Sequence, residues 1–215
     1  KLFSLRLTTL KSKLYAIVFA SFVVRVVAFF MLPNTASSLG PDEGTYGSVA
    51  GWTALGKSAA EFPNYGAGLY ASGRSLFLPA AFFTKIGFTP LDSVRLTASL
   101  YALLTTLLVV VILQKTASKF LGVAKFIQER YWTFLSLFLI FSFLPSHFLW
   151  SVLGLRESAT EFWAISVFTY LYLILQLNGR ATLWATCGFL ISIIMVFSAR
   201  PQVGWVVGIT LLIYL

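Results

Sequence analysis

The sequence predicts an all-α fold, a polytopic transmembrane helical bundle of about six spans, on three observations. Hydrophobic residues make up 58% of the 215 and charged residues only 11%. Several apolar runs approach the roughly 20 residues that a helix needs to cross a hydrocarbon core of about 30 Å. The runs are continuous in Leu, Phe and Val, without the two-residue alternation that the wall of a closed β-barrel requires.

The first run, 14–32, follows Lys11 and Lys13. It exceeds the roughly 7 to 15 apolar residues of a signal-peptide core, so a retained anchor is expected. Long runs also cover 94–113 and 132–153, shorter ones 162–177 and 183–197, and a last one starts at Val203. Between the first two spans lies a long segment, 33–90, rich in Gly, Ser, Ala and aromatics rather than in charge. That composition suits an extracytoplasmic loop lying against the membrane surface and containing short interfacial helices. One of these is expected at 76–88 (LFLPAAFFTKIGF), too short to cross, broken by Pro79 and holding Lys85 among phenylalanines. Lys85 alone reads as a side chain snorkelling to the headgroups.

No internal repeat or low-complexity tract interrupts residues 1–215, which read as one transmembrane module. The chain opens at Lys1 without methionine and stops at Leu215 inside an apolar run, so a further C-terminal part is expected. The single cysteine, Cys187, lies in an apolar segment and cannot form a disulfide within the chain.

Charge sets the expected orientation. With a cytoplasmic N-terminus, the inner segments hold Lys1, Arg6, Lys11, Lys13, Lys115, Lys119, Lys125, Arg130 and Arg180 against Glu129 alone. The outer segments hold Lys57, Arg74, Lys85, Arg95, Arg156 and Arg200 against Asp42, Glu43, Glu61, Asp92, Glu157 and Glu161. This is the positive-inside pattern, and together with Arg25 of the first span it accounts for the net charge of +9 without a nucleic-acid partner. Almost every carboxylate is thereby expected on the extracytoplasmic face.

Asp42 and Glu43 are adjacent in Gly40-Pro41-Asp42-Glu43-Gly44-Thr45-Tyr46, just past the first span, in a chain with only 7 acidic residues. Two carboxylates side by side at a membrane face read as chemistry, although Asp42 could equally be a helix N-cap with Glu43 in the first turn. Glu157 and Glu161 stand four apart where the fourth span begins, a place that the helix dipole alone favours for negative charge. Arg156 beside Glu157 could be a local ion pair, and Arg200 an interfacial anchor. Arg25 lies within the first span, where a charge is costly, and a structural pairing with a loop carboxylate is expected for it. His147 is the only histidine; no second His or Cys is placed to complete a zinc site with it. A hard cation such as Mg or Mn held by Asp42 and Glu43 is chemically reasonable, and the metal stays open.

The order of these features resembles the N-terminal half of the GT-C membrane glycosyltransferases, in particular the branch with protein O-mannosyltransferases and lipid A aminoarabinose transferases. The residues that carry the resemblance are Arg25, then Asp42, Glu43 and Tyr46, then the proline-bearing apolar helix ending in Ile86-Gly87-Phe88. They continue through Val94-Arg95-Leu96, Leu144-Pro145-Ser146, Leu155-Arg156-Glu157 and Ser198-Ala199-Arg200-Pro201, covering nearly the whole chain. The branch often places a lysine directly before prolines ahead of the second span; here Lys85 instead follows Pro79 by six residues.

The resemblance implies transfer of a sugar from a polyprenyl-phosphate donor to an extracytoplasmic acceptor, in a cell envelope, with a bacterial or archaeal plasma membrane favoured. Some members of the class use a divalent cation and others do not. The implied chemistry needs a carboxylate to take the acceptor's proton, for which Asp42 is the choice, with Glu43 beside it. It also needs cations to stabilise the departing phosphate, and Arg74, Arg95, Arg156, Arg200 and Lys85 supply them, arginine offering a planar fork matched to phosphate oxygens. Tyr46, His147 and Glu157 complete the candidate set.

Other classes compete. A lipid or solute transporter would also set charges near a membrane face, but two matching halves of broken spans are not visible. A non-catalytic subunit of a larger membrane complex is a further reading, as is an O-antigen ligase or polymerase with the same donor chemistry.

Overall fold

The structure is a computed structural model and describes residues 2–32, 42–63 and 66–214. Gly40 and Pro41 of the acidic motif, and the beginning of the loop 33–90, lie outside the described residues. Eleven α-helices are described: α1 (Leu2–Met31), α2 (Glu43–Ala54), α3 (Gly66–Ala71), α4 (Arg74–Lys85), α5 (Pro90–Lys119), α6 (Leu121–Glu129), α7 (Tyr131–Phe143), α8 (Pro145–Val152), α9 (Glu157–Ile174), α10 (Arg180–Ala199) and α11 (Pro201–Tyr214). No strand occurs among the described residues. Three helical stretches, Leu10–Met31, Pro90–Ala117 and Arg180–Ala199, are long and apolar enough to cross a membrane, and Tyr131–Phe143 and Pro201–Ile213 are shorter apolar helices.

Helix α5 is the axis of the fold. Its start is written locally: Thr89 is the N-cap, its side chain accepts from the Asp92 N–H at 3.2 Å, and Pro90 takes the first helical position. Thirty residues at about 1.5 Å per residue give it a length of about 45 Å, enough to reach from one face of a bilayer to the other. Its first half packs into a cluster with Tyr46 and Val49 of α2, Leu76 and Phe77 of α4, and Ala159 of α9. Its second half packs with Leu10 and Leu14 of α1, Ile127 of α6 and Phe138 of α7. A third cluster, Val167 with Val207 and Leu211, ties α9 to α11.

These clusters fix the course of the chain. Helix α1 runs antiparallel to α5, and α9 runs in the same direction as α5, since Ala159 meets its beginning and Gln176, just past α9, hydrogen-bonds Lys119 at its end. The described part of the loop expected over 33–90 folds into helices α2, α3 and α4 with a 3-10 turn at Ala59–Glu61, and α2 and α4 pack on the first half of α5.

Two helix expectations need correction. Pro79 does not break its helix; α4 runs through it. Proline has no N–H to offer the carbonyl four residues back, which is that of Ser75, and the Tyr101 hydroxyl of α5 donates to that oxygen at 2.6 Å instead. Replacing Tyr101 by Phe should therefore destabilise the chain by about 1–3 kcal/mol, the usual penalty for orphaning a buried acceptor. Thermal unfolding of Tyr101→Phe beside Tyr101→Phe/Pro79→Ala checks this, because restoring the N–H at position 79 should recover much of the loss. The second correction concerns the apolar run 132–153, which is two helices parted at Leu144, before Pro145. The residue before a proline is driven out of the helical region, and Leu144 sits at ψ 128.

That break is where Arg25 lands. It is fully buried, and it donates from Nε to Ser151 Oγ at 2.9 Å, from Nη1 to the Ser21 carbonyl at 3.1 Å and from Nη2 to the Ser142 carbonyl at 3.0 Å. The last turn of α7 has carbonyls with no helical partner beyond the break, and the guanidinium takes one of them. The expected pairing of Arg25 with a loop carboxylate is replaced by this cage of serine and carbonyl oxygens. The Phe148 ring lies beside it, 5.4 Å from its guanidinium carbon.

Candidate functional site

The end of the bundle that carries the starts of α5 and α9 gathers most of the acidic and arginine residues singled out above. Asp42 is the N-cap of α2 and Glu43 its first residue. Successive helical residues diverge by about 100°. The acidic pair is accordingly split, with Asp42 exposed and Glu43 fully buried.

Glu43 turns into the bundle and is ion-paired with the Nε of Arg95, which is itself fully buried on α5. The second carboxylate oxygen, Oε2, is buried with no hydrogen-bond partner among the described residues. Glu43 and Arg95 therefore act on each other beneath the site. Gly154, between α8 and α9, is held at φ +71, and a Cβ there would come within 3.0 Å of the Arg95 backbone nitrogen. Only glycine fits both the left-handed backbone and that close approach, so the α8–α9 turn rests directly on the residue that anchors Glu43.

Asp42 stays outside this pair, and its side chain caps no backbone N–H. The N-cap reading of Asp42 holds for its place in the chain but not for the hydrogen bond that would give it a structural role. Tyr46, one turn on, is buried. Burial raises the Tyr46 hydroxyl above its ordinary pKa; Arg156 lowers it, Asp42 raises it and Arg200 lowers it. All three charges thus lie within electrostatic reach of one phenol.

Arg156 is the N-cap residue of α9 and donates from Nη1 to Ser72 Oγ at 2.9 Å. The expected local pair of Arg156 with Glu157 does not form. Glu157, in the first turn of α9, is paired with Arg200 instead. Arg200 is aimed there by Pro201, which forces the preceding residue into an extended conformation, φ −150 and ψ 104, between α10 and α11. The Nε atoms of both Arg156 and Arg200 are buried and have no partner among the described residues. Buried donors left open in this way are uncommon and call for an explanation.

The remaining candidates are dispersed. Arg74 is exposed at the start of α4, two residues past Ser72, with its guanidinium 5.4 Å from the centre of the Tyr70 ring. Lys85 is exposed and lines a groove of about 660 Å³ with Gly44 and Gly51, which lie on the side of α2 turned away from Tyr46. Lys85 and the two arginines consequently open on different faces of α2. His147 is buried on α8, stacked on Phe141, and its Nδ1 is 2.7 Å from Glu161 Oε2. Glu161 follows Glu157 by one turn of α9, so both carboxylates expected near the start of that helix have cationic or imidazole partners. Among the described residues no three of His, Cys, Asp or Glu group as a metal site would require.

Sequence reasoning missed Ser72 and the pairings of Glu43, Glu157 and Glu161. Each joins residues 14 to 84 positions apart, and no local pattern announces them. Compared with protein-family models, curated proteins and solved structures, the chain matches none.

Proposed function

We propose that the chain is the membrane-embedded N-terminal part of a GT-C-type glycosyltransferase, moving a sugar from a polyprenyl-phosphate donor to an acceptor on the extracytoplasmic side. In this reading α1, α5, α7 with α8, α9, α10 and α11 make the six spans, the N-terminus is cytoplasmic, and α2 to α4 lie at the outer face. The observation that supports it best is that an exposed carboxylate, Asp42, and two arginines, Arg156 and Arg200, all lie within electrostatic reach of the Tyr46 phenol.

The roles follow from chemistry. Asp42 takes the proton from the acceptor heteroatom as that atom attacks the anomeric carbon. The bond from that carbon to the phosphate oxygen breaks, and the phosphate leaves with the electron pair. Arg156 and Arg200, each with a buried Nε donor still open, stabilise the charge that develops on it. Glu43 and Arg95 make no contact with the reacting groups in this scheme; they hold the first turn of α2, and with it Asp42, in place.

Binding of polyprenyl monophosphate to the full-length protein in lipid nanodiscs tests the arginine assignment. Arg156→Gln should weaken it by about tenfold to a hundredfold, the scale of one charge-assisted contact, while Lys57→Gln should leave it unchanged. Equal binding by wild type and Arg156→Gln would remove the phosphate site and leave a non-catalytic membrane subunit as the better reading.

A further inference from the structure

The opposite end of the bundle carries a surface that the proposed reaction does not use. Helix α6 closes it, with Ile127 buried against Leu10, Leu14 and Ala117. On its outer side Phe126 is 61% exposed, and Trp132, just beyond, is 70% exposed. The helix ends that meet here, together with α6, also carry Lys11, Lys115, Lys119, Lys125 and Arg130, all exposed.

The cations are set against the aromatics. Lys13 Nζ lies 4.9 Å from the centre of the Trp132 ring and 5.2 Å from that of Tyr131, and Lys119 Nζ lies 5.9 Å from that of Phe120. Lys119 also hydrogen-bonds Gln176, which fixes this edge to the end of α9. Glu129 is the one carboxylate in the segment from Lys115 to Arg130, and it stands 3.8 Å from Lys125, whose side chain is nevertheless 74% exposed. A short amphipathic helix with apolar rings and surplus positive charge at one rim suits a layer that is apolar on one side and anionic on the other.

We propose that α6 and the adjoining ends of α5 and α7 form a binding surface for anionic phospholipid. The rings of Phe126 and Trp132 sit at the level of the upper acyl chains, and Lys125, Arg130 and their neighbours hold the phosphodiester headgroups. The charge selects the occupant: a zwitterionic lipid offers the same acyl chains but no net attraction to a cluster of like positive charges. The surface is independent of the transfer reaction, being built from residues at the other end of α5.

The test uses the full chain in nanodiscs of mixed phosphatidylglycerol and phosphatidylcholine, with the lipids that stay bound on release identified by native mass spectrometry. Wild type should retain phosphatidylglycerol about threefold or more above its share of the mixture, in line with several basic residues at an anionic surface. Lys125→Gln with Arg130→Gln should bring retention close to that share, and Lys57→Gln, an exposed lysine at the other end, should leave it high. The proposal is overturned if wild type shows no enrichment, if the double variant keeps it, or if Lys57→Gln loses as much. Lipid-independent self-association abolished by the double variant would instead assign the face to a second copy of the chain.

Discussion

Arg95→Met is expected to destabilise the protein by about 3–5 kcal/mol, the scale measured when one partner of a buried ion pair is removed. Both Arg95 and Glu43 are fully buried, and truncation leaves a fully buried carboxylate with one oxygen already unpartnered among the described residues. The loss comes from stranding Glu43 rather than from the attraction itself. The double variant Glu43→Met/Arg95→Met should for that reason be more stable than Arg95→Met alone, because two apolar side chains of similar length fill the space without a charge. Denaturant or thermal unfolding in lipid checks both. An Arg95→Met protein as stable as wild type would mean that the pair bears no weight, and the claim that it anchors the first turn of α2 would go with it.

The all-helical architecture, with three helices long and apolar enough to cross a membrane, was legible because it depends on composition and run length, which are summed over many residues. The second span was drawn from 94, although Thr89, Pro90 and Asp92 place the helix N-terminus four residues earlier. Pro79 misled because the group that compensates it, the Tyr101 hydroxyl, belongs to another helix 26 residues beyond the carbonyl it satisfies. The run 132–153 is uniformly apolar, and only Pro145 marks the division into α7 and α8. At the site, residue types were readable and partners were not. Asp42 and Glu43 stood out as a pair, yet helical geometry sends one outward and one into the core. Glu157 was read with its neighbour Arg156, although its partner is Arg200, 43 residues on and reached only once α9 and α10 are packed side by side.

Asp42→Asn carries the largest expected effect on activity. General-base catalysis by a positioned carboxylate contributes about 10²- to 10⁴-fold, and the amide keeps the shape while removing the proton acceptor. Transfer should fall by that factor with the unfolding transition unchanged, because Asp42 is exposed and its side chain caps no backbone N–H. Glu43→Gln makes the contrast. It disturbs the buried pair with Arg95, so its loss of activity should come with a loss of stability. Activity and stability falling together in Asp42→Asn would reduce Asp42 to a structural residue.

The most direct measurement of the central claim is the release of free polyprenyl phosphate from a polyprenyl-phosphate-linked sugar by the full-length protein in vesicles prepared from its own cell envelope, so that the acceptor is present, followed with and without Asp42→Asn. The account predicts steady release by wild type, on a protein-dependent time course, and a fall of about 10² or more in the variant. Release that is absent from both proteins, or equal in both, contradicts it.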